Sequence, residues 1–432
     1  MKVLMFGWEF PPHITGGLGT ACYGLTKGLL KHDTEVIFVV PKAYGDEDQS
    51  VVRLLNASEV QVDTVDPEMG ELWKKIQYME IGSNIIPYVG VEEFEQLKIQ
   101  DELIRHRQER HVLGKKYEFS GKYGPRLLEE VSRYALIGSA LAANQEFDVI
   151  HAHDWLTYPA GIAAKNVTGK PLVVHIHATE FDRTGENVNT LIYDIEKKGM
   201  EEADLVISVS NLTRNICIER YGIPPEKIIT VHNAVEPDRK SAENEKEDKP
   251  FAEKVVTFLG RITYQKGPEY FVEAARKVLD RYPDVRFVMA GTGDLQQKMI
   301  RRVAKLKMGT HFHFTGFLKG PEVNRMLAMT DVFVMPSVSE PFGIVPLEAM
   351  RTNVPVVISK QSGVSEVLKH AIKVDFWDVN AMADAIYGLL KYPKLPEISA
   401  REGKVEVDNL KWENAAYQVR QVYEQAVGRK HN

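Results

Sequence analysis

The sequence predicts an α/β protein made of two doubly wound domains. In both halves of the 432-residue chain, short apolar runs alternate with stretches of helical periodicity, which is the pattern of parallel strands joined by helices. Between the halves, ten of the fifteen residues from Glu236 to Pro250 are charged, a composition typical of linkers. We therefore expect an N-terminal domain over 1–235, a charged linker over 236–252 and a second domain over 253–410.

The bulk composition narrows the class of protein. A chain with 44% hydrophobic and 26% charged residues is ordinary for a soluble globular protein, and a net charge of -6 disfavours a nucleic-acid partner. Cys22 and Cys217 are the only two cysteines, which is too few for a disulfide scaffold and indicates a reducing compartment. The first residues lack a signal-peptide core and the chain lacks a long apolar run, so we expect a cytoplasmic protein without an integral membrane segment. The composition leaves the oligomeric state open.

The N-terminal half begins with a strand, a glycine-rich loop and a helix. Apolar runs predict strands at Val3–Phe6 and Val36–Val40, and the periodicity of Thr20–Leu30 predicts a helix. The loop between them contains Gly16-Gly17-Leu18-Gly19, which suits either phosphate binding or a structural turn. Its glycine spacing is not that of a dinucleotide fingerprint, and no acid ends the second strand, which disfavours a nicotinamide enzyme.

The middle of the chain carries a second set of strands, two of which end in histidines. His151 and His153 lie two residues apart at the end of a strand, so they share one face while the chain is extended, and His175 and His177 repeat the arrangement. A single histidine there is more often packed than catalytic, and no third ligand makes a zinc site convincing, so we expect no metal. The rest of this half predicts a charged, solvated stretch or lid over 92–110, a packed helix over 127–141, and strands at 205–210 and 228–233.

The second half restarts the alternation of strands and helices. Five strands are predicted, at 255–259, 286–290, 311–315, 331–335 and 356–359. Arg261 and Lys266 follow the first of them, as either surface charge or an anion grip, and Gly291 lies in a short glycine turn after the second. Residues 412–428 have the periodicity of an amphipathic helix.

The richest stretch runs from Ser339 to Met350. Pro346 marks a helix start, Gly343 gives the preceding loop conformational freedom, and the carboxylates of Glu340 and Glu348 flank the helix end. The free N–H groups of such an end attract phosphate, and carboxylates accept hydrogen bonds from sugar hydroxyls. By itself the stretch is also compatible with an ordinary joint between a strand and a helix.

This stretch resembles the two-glutamate signature of retaining GT-B glycosyltransferases, especially glycosyltransferase family 4. The Trp-Glu-Phe-Pro-Pro run at 8–12 and the His-Ala-His-Asp-Trp run at 151–155 look like glycogen synthases, so the resemblance covers nearly the whole chain. It implies a GT-B fold, in which two Rossmann-like domains face a cleft and a helix over 411–432 crosses back to the first, acceptor-side domain. One departure is Ile14, where glycogen synthases carry a lysine.

The resemblance also implies roles for individual residues. His153 and Glu340 would meet the donor sugar, Glu348 would hold the ribose, and Arg261 and Lys266 would grip the leaving diphosphate. Further donor contacts would come from the glycine loops, the helix start and the residues near the base: Gly17, Leu18, Gly291, Phe317, Leu318, Gly343, Ile344 and Val345. The acceptor would meet Glu129, Arg133, His177 and Glu180.

The expected function is transfer of glucose from ADP-glucose or UDP-glucose to an α-glucan, with retention of configuration and without a metal ion or a cofactor. The alternative is a family 4 transferase with another nucleotide sugar and a small or lipid-linked acceptor, which Ile14 favours. A non-catalytic carbohydrate sensor is an alternative of another class.

Overall fold

The computed structural model describes residues 1–12, 17–47, 52–60, 117, 119–121, 123–124, 126–235 and 252–430. Ile14, the charged stretch over 92–110 and residues 236–251 of the predicted linker lie outside the described residues. The described residues form two parallel sheets, each flanked by helices.

The first sheet contains seven parallel strands in the order β3-β2-β1-β4-β5-β6-β7. Most of these strands are buried on both faces, which explains their continuous Val and Ile runs. The strands are β1 Lys2–Phe6, β2 Glu35–Val40, β3 Arg53–Asn56, β4 Val149–His153, β5 Leu172–Ile176, β6 Leu205–Ser208 and β7 Ile228–Thr230. The helices between them are α1 Gly17–Leu30, α2 Leu127–Ala143, α3 Tyr158–Thr168, α4 Glu180–Thr184, α5 Thr190–Glu202 and α6 Asn211–Tyr221.

The second sheet contains six parallel strands in the order β10-β9-β8-β11-β12-β13. Its strands are β8 Lys254–Leu259, β9 Val285–Ala290, β10 Phe312–Gly316, β11 Val332–Met335, β12 Val356–Ser359 and β13 Ile372–Val374. Its helices are α7 Pro268–Leu279, α8 Gln296–Lys305, α9 Pro321–Met329, α10 Val345–Arg351, α11 Val379–Lys391 and α12 Lys394–Asp408, and α13 Trp412–Lys430 closes the chain.

The strand order reverses once in each sheet. In the first sheet β1 lies between β2 and β4, and in the second β8 lies between β9 and β11. Because the connections leave in opposite directions at these points, a crevice opens beyond the carboxyl ends of the central strands. The fold therefore directs the loops after β1 and β4, and those after β8 and β11, toward the positions where ligands bind in such sheets.

The terminal helix α13 packs on the first sheet. Its buried residues join the cluster formed by β1 and α1, with Trp412 only 3% exposed. Two glycines of α1 allow the helices to approach closely, since a Cβ on Gly24 would lie 2.3 Å from Trp412 Nε1 and one on Gly28 would lie 2.7 Å from the Cβ of Ala416. Thus the chain returns to its first domain after the second sheet is complete.

The main departures from the predicted elements concern two strands and the start of one helix. Strands β3 and β13 were not predicted, because β3 is partly exposed and Lys373 interrupts β13, so neither contains a continuous apolar run. Helix α1 begins at Gly17 and not at Thr20, so the last glycines of the predicted loop belong to the first helical turn.

Candidate active site

The carboxyl ends of β4 and β5 carry four histidines that form one cluster. His153 pairs with His175 in the register of the two strands, and the alternation of side chains places His151 and His153 on the same face. The ring centroids of His151 and His153 lie 4.1 Å apart, and those of His175 and His177 lie 4.3 Å apart. The sequence predicted each pair, and the sheet joins the two pairs.

Burial keeps these imidazoles neutral. Burial lowers the pKa of His151 and of His177 to about 3. It lowers the pKa of His153 and of His175 well below the ordinary value. Neighbouring histidines make a smaller contribution in the same direction for His151, His153 and His175. A hydrogen bond of 3.0 Å joins His153 Nδ1 to His177 Nε2, and one of 2.6 Å joins His151 Nδ1 to the hydroxyl of Tyr423 in α13. Neutral imidazoles retain a lone pair, so they can accept a hydrogen bond from a hydroxyl group.

Asp154 holds the loop that carries His177. It lies in the left-handed region with a φ of 58°, it is 2% exposed, and its Oδ1 accepts a 2.7 Å hydrogen bond from the His177 N–H. Burial raises the pKa of Asp154 to about 6, and the Arg183 charge and backbone N–H groups lower it in part. This hydrogen bond connects the residue after β4 to the loop after β5, next to the histidines.

Glu180 lies in a buried ion network and does not face solvent. Its side chain is 1% exposed, Oε2 accepts from Arg183 Nε at 3.0 Å, and Oε1 accepts from the Asn189 N–H at 3.2 Å. Arg183 also donates to the buried carboxylate of Glu196. Both of its oxygens thus have partners within the domain, and the acceptor contact expected of Glu180 stays a prediction.

The second domain brings Lys266 and Glu340 together. Lys266 Nζ donates to Glu340 Oε2 at 2.5 Å, and Ser337 Oγ donates to the same oxygen at 3.1 Å. The Lys266 side chain is 21% exposed and that of Glu340 is 8% exposed, so the pair lies at the edge of the interior. Arg261, on the same loop as Lys266, donates to Gln265 Oε1 at 3.0 Å.

Glycine backbones set the shape of this region. Gly291 has a φ of 132°, and a Cβ there would lie 1.9 Å from the carbonyl oxygen of Gly260, so the loops after β8 and β9 meet backbone to backbone. Gly267 has a φ of 65° directly after Lys266 and is the N-cap residue of α7. These backbone contacts restrict the conformation of the loop that carries Arg261 and Lys266.

The stretch from Gly343 to Glu348 forms the start of α10, as predicted. Gly343 has a φ of 98°, Pro346 lies in the first turn, and Glu348 follows in that turn. Burial raises the pKa of Glu348, and Arg351 lowers it in part. Ile344 and Val345 pack against the second-domain cluster.

Ile344 also reaches the first domain. It packs with Leu18 against the cluster formed by β1 and α1, and a Cβ on Gly17 would lie 3.9 Å from Ile344 Cδ1. The predicted glycine loop and the predicted two-glutamate stretch therefore meet between the domains.

The remaining predicted site residues are Phe317 and Leu318 of the second domain and Glu129 and Arg133 of the first. Phe317 is 57% exposed after β10, and Leu318 beside it is half-buried. On α2, Arg133 forms an ion pair with Glu129 and lies 5.6 Å over the ring of Tyr117. These contacts place Glu129 and Arg133 beside each other and do not connect them to the histidines.

Further contacts between the domains involve residues that the sequence did not single out. Ser339, the neighbour of Glu340, donates a hydrogen bond to Asp182 of α4. Glu366 accepts hydrogen bonds from the Asn211 N–H at 2.9 Å, from the Leu212 N–H at 2.8 Å and from His232 Nε2 at 2.7 Å. Asp182 and Glu366 occupy ordinary capping and loop positions in the sequence, so only tertiary proximity reveals these contacts.

Family models match most of the chain. The model described as glycosyltransferase family 4 matches residues 90–239, and the model described as glycosyl transferases group 1 matches residues 239–405. The fold agrees with the structure of sucrose-phosphate synthase from Thermosynechococcus elongatus, with a TM-score of 0.68 and 17% identity over 99% of both chains. The chain is a GT-B glycosyltransferase that resembles family 4.

Curated relatives of this glycosyltransferase extend over most of its length. It is 29% identical to an uncharacterized glycosyltransferase of Methanocaldococcus jannaschii, over 92% of this chain and 86% of that protein. It is 25% identical to a glycogen synthase of Mycobacterium tuberculosis, over 98% and 94%, and 27% identical to a phosphatidyl-myo-inositol mannosyltransferase of the same organism, over 71% and 79%. Among solved structures, Anabaena HepE with UDP and glucose matches with a TM-score of 0.65 and 16% identity over 98% of this chain and all of that one.

No helix within the described residues combines the length and apolar character needed to cross a bilayer.

Proposed function

We propose that this glycosyltransferase moves a hexosyl group from a nucleotide-diphosphate sugar with retention of configuration and without a metal ion. The observation that carries the proposal is the pair of Lys266 and Glu340 beyond the carboxyl ends of β8 and β11. A sheet of this topology binds ligands at that position, and the pair supplies one cation and one anion there. A donor with an anionic diphosphate and a neutral sugar needs both kinds of partner.

The diphosphate would be held by Arg261 and Lys266. Their loop is anchored by backbone contacts at Gly260 and Gly267, so the two cations need little reorganisation when charge develops on the leaving group. Arg261 would bind phosphate oxygens through its planar fork, and Lys266 would act as a point charge. Gly291, Gly343 and Gly17 would let the backbone come close to the same group.

The sugar and the nucleoside would lie on either side of that diphosphate. His153 is buried and neutral, so it would accept a hydrogen bond from a donor hydroxyl, while Glu340 would contact the sugar from the second domain. Glu348 would accept from the ribose, with Phe317 and Leu318 near the base and Leu18, Ile344 and Val345 closing the space between the domains. In this arrangement the leaving phosphate takes the proton of the acceptor hydroxyl, and attack occurs on the same face.

The glucosyl donors ADP-glucose and UDP-glucose and an α-glucan acceptor are our first choice, supported by the full-length similarity to a glycogen synthase. The second choice is another nucleotide sugar with a small or lipid-linked acceptor. The similarity to a phosphatidyl-myo-inositol mannosyltransferase and the presence of Ile14 favour it.

The test is nucleotide release from ADP-glucose, UDP-glucose and GDP-mannose, with and without glycogen, in buffer containing EDTA. We expect one glucosyl donor to release nucleotide only when glycogen is present, and the anomeric proton signal of the product to retain the α configuration. Release from GDP-mannose without any response to glycogen would select the second choice. Binding of a donor in thermal-shift assays without turnover on any acceptor would instead indicate a carbohydrate sensor.

A further inference from the structure

The histidine cluster contains more buried nitrogen atoms than the protein satisfies. Among the described residues, Nε2 of His151, Nε2 of His153 and both ring nitrogens of His175 are buried without a hydrogen-bond partner. Each of these side chains is at most 2% exposed. Leaving one buried polar atom unsatisfied is costly, and three neighbouring imidazoles with such atoms indicate a ligand that binds one nitrogen of each.

Ligand atoms of these three histidines lie within 4.8 Å of one another. We propose that His151, His153 and His175 bind a late first-row transition metal ion, with Zn²⁺ as the best match. Imidazole nitrogens are typical zinc ligands at about 2.0–2.1 Å, and three of them leave one coordination position open. The ring centroid of His175 lies 5.3 Å from that of His153 and 5.4 Å from that of His151, so the three rings are neighbours. The sequence offered no convincing third ligand beside a strand-end histidine pair, whereas the register of β4 and β5 places His175 next to His151 and His153.

The surroundings of the cluster match those of a metal site. Zinc-binding histidines usually have their second ring nitrogen held by a hydrogen bond, and here Tyr423 holds Nδ1 of His151 while His177 holds Nδ1 of His153.

Occupation by a metal would change the donor site. The lone pair of His153 that a metal uses is the one that would accept a hydroxyl of the donor sugar, so Zn²⁺ and donor would exclude each other. This consequence rests on the proposed function, whereas metal binding itself does not. We therefore expect Zn²⁺ to inhibit transfer in competition with the nucleotide sugar, and chelators to relieve the inhibition.

The experiment is equilibrium binding of Zn²⁺ to chelator-treated protein, with the metal content measured by mass spectrometry and Co²⁺ substituted as a spectroscopic probe. We expect one Zn²⁺ per chain and the visible absorption of four-coordinate Co²⁺. His151→Gln and His175→Gln should each weaken binding more than about 100-fold, and Tyr423→Phe, which leaves all three ligands in place, should weaken it about 10–100-fold. The matched control is His313→Gln, at an exposed histidine of the second domain, which should bind as the wild type does.

The outcomes separate the two proposals. Wild-type protein that binds no stoichiometric Zn²⁺, or that binds it equally well in the His151 and His175 variants, would overturn the metal site whatever the enzyme transfers. Stoichiometric binding that these variants and Tyr423→Phe weaken supports the site even if no glycosyl transfer is found. If the glutamine variants do not fold, Tyr423→Phe decides, and affinity equal to that of the wild type would then count against the site.

Discussion

The ammonium group of Lys266 donates a 2.5 Å hydrogen bond to the carboxylate of Glu340, which joins the loops after β8 and β11. The two residues are 74 positions apart in the chain, and the reversal of strand order at β8 and β11 makes them neighbours. This contact leads to the first prediction.

Replacing Lys266 by alanine should leave the fold intact and lower the rate of transfer about 10²–10³-fold or more, because the charge on the leaving diphosphate loses a fixed cation. Glu340→Ala should have a comparable effect through the donor sugar. The measurement is kcat with the preferred donor, and the control is Lys298→Ala, whose side chain is 64% exposed and pairs with Glu269 at the surface. A Lys266→Ala enzyme with the wild-type rate would show that the diphosphate lies elsewhere.

Gly291→Ala should destabilise the second domain by at least about 2 kcal/mol, because the new Cβ would collide with the Gly260 carbonyl and the backbone has a positive φ. Denaturant unfolding of the variant measures the loss. Gly309→Ala is the matched control, since a Cβ there meets open space, and its effect should stay within about 0.5 kcal/mol. Equal stability of the two variants would contradict the close approach of the loops.

Arg183→Ala should cost about 3–5 kcal/mol of unfolding free energy, because it leaves the buried carboxylates of Glu180 and Glu196 without their cation. The companion variant Glu180→Gln separates a structural role of that residue from the predicted acceptor contact. It should lower the thermal midpoint without selectively raising the KM for the acceptor. A rise in the KM for the acceptor at unchanged stability would show that Glu180 contacts the acceptor.

The contact between Glu366 and α6 predicts a pH dependence of domain association. Burial tends to raise the pKa of Glu366, but hydrogen bonds from His232 and from the Asn211 and Leu212 amides outweigh burial, and the net pKa lies below the ordinary 4.5. A depressed carboxyl pKa stabilises the associated state above the ordinary value, and this contribution is lost as the pH falls through the lowered pKa.

Small-angle scattering from about pH 6 to about pH 3.5 should therefore show the domains separating at the acid end of the range. Glu366→Gln should be looser already at pH 6 and should change less on acidification. Glu406→Gln is the matched control, since Glu406 accepts from the Lys369 and His370 amides within the second domain. Identical profiles for the wild type and Glu366→Gln would remove this carboxylate from the domain contact.

Trp412→Ala should destabilise the first domain by about 3–5 kcal/mol, because a fully packed indole leaves a cavity against Gly24 and α1. Tyr417→Ala, on the same helix but 52% exposed, should cost less than about 1 kcal/mol. Thermal unfolding of both variants checks the difference. If both lose the same stability, the terminal helix is not anchored through Trp412.

The local sequence pattern was sufficient to predict most of the secondary structure and the loops that carry the candidate functional groups. Burial on both faces makes the central strands continuous apolar runs, and the loops at their carboxyl ends, with Lys266, Glu340 and the histidines, follow directly in the chain. Strand β13 was not predicted because Lys373 interrupts its apolar residues, and β3 was not predicted because its partial exposure leaves no apolar run.

Only the tertiary structure determined which of these groups are in contact and whether they are buried or paired. His151 lies 272 residues from Tyr423, and Asp182 lies 157 residues from Ser339, and no spacing rule connects positions so far apart. Likewise, the sequence alone did not show that Glu180 forms a buried ion pair with Arg183. A sequence motif specifies local backbone geometry and chemistry, but contacts between distant segments depend on how complete sheets and helices pack, which is a property of the whole chain.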